Sequence, residues 1–169
     1  DSKVLAFVRT KIRAERVMKA LERVGIKSDT IHGEKEQSDR IEVLNKFKSG
    51  KTNVLIATDV SSRGIDIPGV DYVINYDMPE QAENYVHRVG RTGRGSKKGQ
   101  AVSFCSKDER ILLEDIENYL DKPIGILDIS KSDYLETLEI SNESHTDWKT
   151  LIRDNEEMIS KKKKKKKKK

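Results

Sequence analysis

The chain has 169 residues, room for one ordinary α/β domain with a modest appendage and too few for two full domains. A single cysteine, Cys105, excludes a disulfide framework and fits a reducing compartment, and no apolar run reaches the length of a membrane span. The net charge of +5 is segregated: residues 1–106 carry 19 basic and 14 acidic side chains, residues 107–160 carry 6 and 15, and residues 161–169 are all lysine, so that without this tail the charge would be −4. Any site for a polyanion on the folded part must therefore be local. A soluble, cytoplasmic, monomeric protein with no membrane partner and no signal peptide is expected. Asp1-Ser2-Lys3 leads directly into a strand pattern with no initiating Met, which reads as a piece of a longer chain.

In chain order, Val4–Val8 is a short apolar run expected to form a buried parallel strand. From Ile12 to Val24, Ala14, Val17, Met18, Leu21 and Val24 recur at helical spacing before the stop signal Gly25. Lys27–Ile31 predicts a second strand ended by His32-Gly33. Gln37–Ser49 predicts a helix with Ile41, Leu44 and Phe47 inward, closed by Gly50. Val54–Ala57 and Tyr72–Asn75 read as the third and fourth strands, Glu83–Val89 as a short helix, Gln100–Cys105 as a fifth strand with Cys105 a core thiol, and Lys107–Leu120 as a long helix. In that helix Leu112, Leu113, Ile116, Tyr119 and Leu120 share one face.

Strands alternating with helices at this spacing predict a parallel sheet covered on both faces, with the binding crevice at the strand carboxyl ends. Arg9-Thr10, His32-Gly33, Thr58-Asp59 and Asn75-Tyr76-Asp77 fall at those ends. Beyond Leu120 the pattern weakens. Residues 123–160 are expected to form an acidic extension, irregular up to Glu143, with a helix over 147–159 placing Trp148, Leu151, Ile152, Met158 and Ile159 on one face. Lys161–Lys169 is expected to be disordered by self-repulsion.

Two stretches carry chemistry. HRVGRTGR, from His87 to Arg94, puts three arginines, a histidine and two glycines into eight residues. Arg91 and Arg94 lie three apart with Gly93 between them, so both planar forks can reach one phosphate. Taken alone, this stretch also suits a solvated basic loop after a helix. ATDVSSRGID, from Ala57 to Asp66, follows a buried strand with Thr58, Asp59, Ser61, Ser62, Arg63, Gly64 and Asp66, more functional groups than a plain turn needs. Gly50-Lys51-Thr52 imitates the end of a phosphate-binding P-loop, but Asn45 stands where the first glycine should be and a strand follows instead of preceding.

These residues resemble the DEAD-box RNA helicases: Ala57–Asp66 is similar to their motif V and HRVGRTGR to motif VI, in order with VLAFVRTK (motif IV), HGEKEQSDR with its Gln37/Arg40 pair, and VINYDMP from Val73 to Pro79. The resemblance covers residues 4 to about 106 and implies the second, C-terminal RecA-like lobe: a three-layer α/β sandwich over residues 1–122 with a mostly parallel sheet flanked by helices. It implies that Arg91 and Arg94 act as arginine fingers on the γ-phosphate of ATP, that Asp66 bonds the ATP ribose, and that His87 couples the nucleotide site to the other lobe. Thr10, Gly33, Gln37, Arg40, Thr58 and Gly64 would contact single-stranded or duplex RNA, through backbone and shape instead of base edges. No P-loop and no Asp-Glu-x-Asp box for Mg2+ stand in this chain. The family carries both on its N-terminal RecA-like lobe, the expected partner, so the chain alone should be inactive as an ATPase, and no residue here is assigned as a metal ligand. A non-catalytic RNA-binding or protein-docking module is the alternative reading.

Overall fold

A computed structural model describes residues 2–62, 67, 69–93, 99–130, 132 and 135. The helix expected over 147–159 and the lysine tail lie outside the described residues. Residues 1–124 form one compact unit and residues 125–169 a second.

Five parallel strands, β1 (Val4–Phe7), β2 (Ser28–Ile31), β3 (Val54–Ala57), β4 (Tyr72–Asn75) and β5 (Gln100–Ser103), lie in the order β2-β3-β1-β4-β5. Helices α1 (Lys11–Arg23), α2 (Gln37–Lys48), α3 (Asp59–Ser62), α4 (Ala82–Val89) and α5 (Arg110–Leu120) fill the connections, with a 3-10 turn at Lys107–Glu109. This is the RecA-like α/β architecture expected from the alternating pattern. Alternation along each short strand supplies both faces of the core. Leu5, Phe7, Leu55 and Ala57 pack with Ile31 and, from α2, Val43 and Phe47. Ala6, Val8 and Ile56 turn the other way onto Ala14, Val17, Met18 and Leu21 of α1. The connection β1-α1-β2 runs one way along the sheet and β2-α2-β3 the other, so right-handed crossovers put α1 and α2 on opposite faces.

Register fixes the functional edge. Phe7 stands opposite Ala57 on one side and Asn75 on the other, Ile31 opposite Ala57, and Asn75 opposite Ser103. One row of residues thus ends all five strands, and the residues just past it share one rim.

Several expectations shift. The buried stripe of α2 is Val43, Leu44 and Phe47, while Ile41 is 50% exposed. Val24 and Tyr119 are likewise exposed, and α5 presents Ile116 as its buried residue. Strand β5 ends at Ser103, leaving Phe104 and Cys105 exposed, so Cys105 is not a core thiol. Partial desolvation and the nearby Glu109 carboxylate push that thiol's pKa up, away from the reactive thiolate. Gly50, at φ +76°, closes α2 as its carboxyl-terminal glycine, and Thr52 Oγ1 donates to Asp29 Oδ2 at 2.6 Å, so Gly50-Lys51-Thr52 serves as a helix stop. Among the described residues no helix is long and apolar enough to cross a membrane.

Candidate functional site

The rim is held together by one buried arginine. Arg88, on the inward side of α4, is 2% exposed. Its Nε and Nη2 donate to Asp59 Oδ1 and Oδ2, both at 2.7 Å, a bidentate pair that ties α4 to the start of α3. Nη1 donates to Asn75 Oδ1 at 3.1 Å and to the Asp77 carbonyl at 2.8 Å, and the guanidinium carbon lies 5.0 Å from the centroid of the Phe7 ring. Buried Asn75 passes the link on, its Nδ2 donating to Ser103 Oγ at 2.9 Å. A cation this deep is tolerable because partners surround it on three sides and an aromatic face closes another. Sequence reading counted Arg88 among the cations of HRVGRTGR and gave it no role of its own; the structure makes it the bolt between that segment and the Thr58-Asp59 loop. The available signal was its place on the buried face of α4, a charge where the core side needs an apolar residue.

Two further networks brace the loops. Asp77, 2% exposed, accepts from the Arg9 backbone N–H at 2.8 Å through Oδ2 and pairs with Arg13 of α1 through Oδ1. Arg9 Nη2 donates to Glu109 Oε1 at 2.9 Å, which also accepts the Met78 N–H at 3.2 Å, while Glu109 Oε2 accepts from Ser106 N and Oγ. Burial pushes the Glu109 carboxyl up, but the Ser106 and Met78 donors and the Arg9 charge outweigh it and hold the group below the ordinary glutamate value. On the far side, Glu15 Oε1 accepts from Thr30 Oγ1 at 2.8 Å and lies 3.2 Å from His32 Nε2. Burial raises the Glu15 pKa; the bonds to Thr30 and His32 and the charge of Lys35 bring it below its ordinary value. A cavity of about 310 Å³, lined by Arg9, Asp59, Val60, Met78, Gln81 and Arg88 among others, opens on this rim.

The expected site residues fall around these braces. Arg91 follows the carboxyl end of α4, pinned on both sides by backbone: its N–H donates to the Arg88 carbonyl at 3.1 Å and its carbonyl accepts from Val70 at 3.0 Å. Its side chain has no ion-pair partner among the described residues and is part-exposed. His87 is exposed on α4. Thr10 caps α1, its Oγ1 accepting from Arg13 N at 3.2 Å. Gly33 is exposed, with open space where a side chain would stand. Gln37 and Arg40 face each other on the first turn of α2, Arg40 Nη1 donating to Gln37 Oε1 at 3.3 Å. Thr58 is nearly buried, its N–H directed at the Ile31 carbonyl at 3.4 Å. Gly64, Asp66 and Arg94 lie outside the described residues.

A parallel sheet with its polar loops gathered on one rim, and a basic helix end fixed there by a buried arginine, defines a RecA-like α/β domain. The pattern of the Helicase conserved C-terminal domain family matches residues 1–96. The chain belongs to that family, as a C-terminal RecA-like domain of the DEAD-box group. It is 45% identical over 134 residues to the ATP-dependent RNA helicase DeaD of Buchnera aphidicola, an alignment covering 79% of this chain and 22% of that protein. The E. coli DEAD-box protein SrmB, solved bound to regulator of ribonuclease activity A, superposes with a TM-score of 0.73 at 38% identity, over 76% of this chain and 75% of that one. S. cerevisiae Dbp5 bound to RNA and ADP BeF3 gives 0.69 at 34% identity, over 84% and 38%. The chain spans about a fifth of the length of the curated relatives it matches.

Proposed function

We propose that this chain is the second lobe of an ATP-dependent RNA helicase, supplying arginine fingers to ATP hydrolysis and half of the surface that grips RNA. The observation that carries the reading is Arg91, a guanidinium without an ion-pair partner among the described residues, on backbone pinned from both sides. A finger of this kind must be preorganised yet uncommitted until a phosphate arrives, because its value lies in stabilising charge that develops in the transition state. Arg94 would act beside it, Asp66 would hold the ribose, and exposed His87 would meet the N-terminal lobe. That lobe would hold most of the Mg2+ coordination and the P-loop.

On the RNA side, Thr10 still has its hydroxyl proton to give to a phosphate, because the cap uses the oxygen as acceptor. Gln37 spends its oxygen on Arg40 and keeps its amide donors. Gly33 leaves its backbone open to close approach. With Arg40, Thr58 and Gly64 these groups would track phosphates and sugars along one strand. Closure of both lobes would bend that strand and part a short duplex, and hydrolysis would reopen the cleft.

The test is RNA-stimulated ATP hydrolysis by the chain alone and joined to a first lobe that carries the P-loop. We expect silence alone, turnover when joined, and loss of roughly a thousandfold in turnover with Arg91→Ala at nearly unchanged ATP affinity. Silence in both forms with RNA still bound would instead favour a non-catalytic binding module.

A further inference from the structure

We infer that the outer face of α1 is a second RNA track, a row of cations that grips the phosphates of a strand running past the Thr10 rim; the inference rests on the RNA-binding reading above. At 100° per residue, Ile12, Arg16, Lys19 and Arg23 fall within about 60° of one another around the helix. All four are exposed, Ile12 at 58%. The other cations of α1 are committed: Lys11 pairs with Glu34 and Arg13 with Asp77. Arg16, Lys19 and Arg23 have no ion-pair partner among the described residues. Of the two acids on the helix, Glu15 is turned inward to Thr30 and His32, and Glu22 sits on the flank of the stripe.

Direction matters as much as charge. Helix α1 begins at the strand carboxyl ends, where Thr10 caps it, and runs back along the sheet toward β2. At 1.5 Å per residue the cations stand about 4.5 and 6 Å apart along the axis, and the row ends about 20 Å from Thr10. A strand leaving the rim in that direction meets Ile12 first, an apolar surface for a base or ribose, and then three guanidinium or ammonium groups. Point charges of this kind recognise phosphate in any sequence. RNA is favoured over the chain's own acidic segment because the row starts at the proposed RNA edge.

The test compares the full chain with the variant Arg16→Glu/Lys19→Glu/Arg23→Glu, on oligouridylates of about 8 and about 30 nucleotides, the shorter being the size of a single core site. A control variant, Lys51→Glu/Lys107→Glu/Arg110→Glu, makes the same change in charge away from the stripe. Binding of the short RNA should be unchanged. For the long RNA, affinity should fall about tenfold and the slope of log K against log salt by about 2, at roughly 0.7 per phosphate released. The milder Arg16→Gln/Lys19→Gln/Arg23→Gln variant should show the same direction, which guards against misfolding. Equal long-RNA affinity and slope in wild type and variant would overturn the inference, as would an equal loss in the control. Tighter long-RNA binding by the variant would also overturn it, by making the acidic segment the occupant. Failure of the wild type to hold the short RNA would strike the core reading instead.

Discussion

Replacing Arg88 with Ala removes four hydrogen bonds and a cation–π contact at one point, and leaves the Asp59 carboxylate without its bidentate partner. Breaking a buried pair by deleting one partner costs about 3–5 kcal/mol, chiefly through the charge left behind. Here the Asp59 side chain is 28% exposed and can recover water, which places the expected loss near the lower end, about 3 kcal/mol. With a urea m-value of about 1.5 kcal/mol/M, the unfolding midpoint should move down by about 2 M. Arg88→Lys keeps the charge but not the parallel donors and should lose roughly half as much. The sharper assay is a double-mutant cycle with Asp59→Asn, for which a coupling above about 1.5 kcal/mol is expected. Additivity within about 0.5 kcal/mol, or a midpoint shift under about 0.3 M for Arg88→Ala, would refute the reading of Arg88 as the bolt between α4 and the Thr58-Asp59 loop.

Glu109→Gln should cost about 1–3 kcal/mol near neutral pH, since a carboxylate serving the donors of Arg9, Met78 and Ser106 is lost. Because the folded-state pKa of Glu109 is depressed, its contribution is present above the ordinary glutamate value near 4.5 and fades as pH falls through the lower folded value. Urea midpoints of wild type and variant should therefore converge on acidification, and a gap that widened toward acid would contradict this. Gly99→Ala sets a Cβ 2.4 Å from the Gly93 backbone nitrogen as well as against the Thr92 hydroxyl, so the segment after Arg91 must move. A loss of about 1–3 kcal/mol and a fall in turnover of the joined enzyme are expected, read by denaturation and ATPase assay. Glu15→Ala frees Thr30 and His32 and should loosen the loop bearing Gly33, raising the KM for RNA several-fold while kcat at saturating RNA holds.

The sheet was legible because each strand is a short apolar run between turn signals, and β3 and β4 match their expected bounds residue for residue. What failed was the choice between apolar residues that local pattern cannot rank. In α2 both Ile41 and Val43 suit a stripe through Leu44 and Phe47, and only the position of β2 and β3 beneath the helix selects Val43. Cys105 follows an apolar run and so read as core, yet among the described residues β5 pairs only with β4, and it stops at Ser103, which carries Phe104 and Cys105 out past the sheet. The four residues of α3 gave no signal, because Asp59–Ser62 is too short and too polar to show a period. At the site, residue types marked His87–Arg94 as a segment expected to meet phosphate but not how its arginines are divided between fold and surface. The partners of Arg88 come from positions 7, 59, 75 and 77, and nothing local announces them.

That division follows from where α4 ends. In an unbroken helix Arg88 and Arg91, three apart, would share a face and both would turn inward. Helix α4 stops at Val89, with Gly90 as its cap, a position where a side chain would stand 3.1 Å from the Val86 carbonyl. The chain then leaves through the bridge between Val70 and Thr92, which carries Arg91 off the buried face. Two arginines of the same segment thus stand in opposite settings, Arg88 paired inside the fold and Arg91 part-exposed with no ion-pair partner among the described residues. A part-exposed guanidinium without an ion-pair partner among the described residues contributes little to stability, and in the proposed reading its electrostatic worth would rise only when a closing lobe excluded water around it. Arg91→Ala should therefore change the unfolding free energy by less than about 0.5 kcal/mol, against about 3 for Arg88→Ala, so that the proposed finger would carry no cost to the fold. A destabilisation by Arg91→Ala comparable to that of Arg88→Ala would mean that the residue is structural, and would remove the ground for treating it as uncommitted.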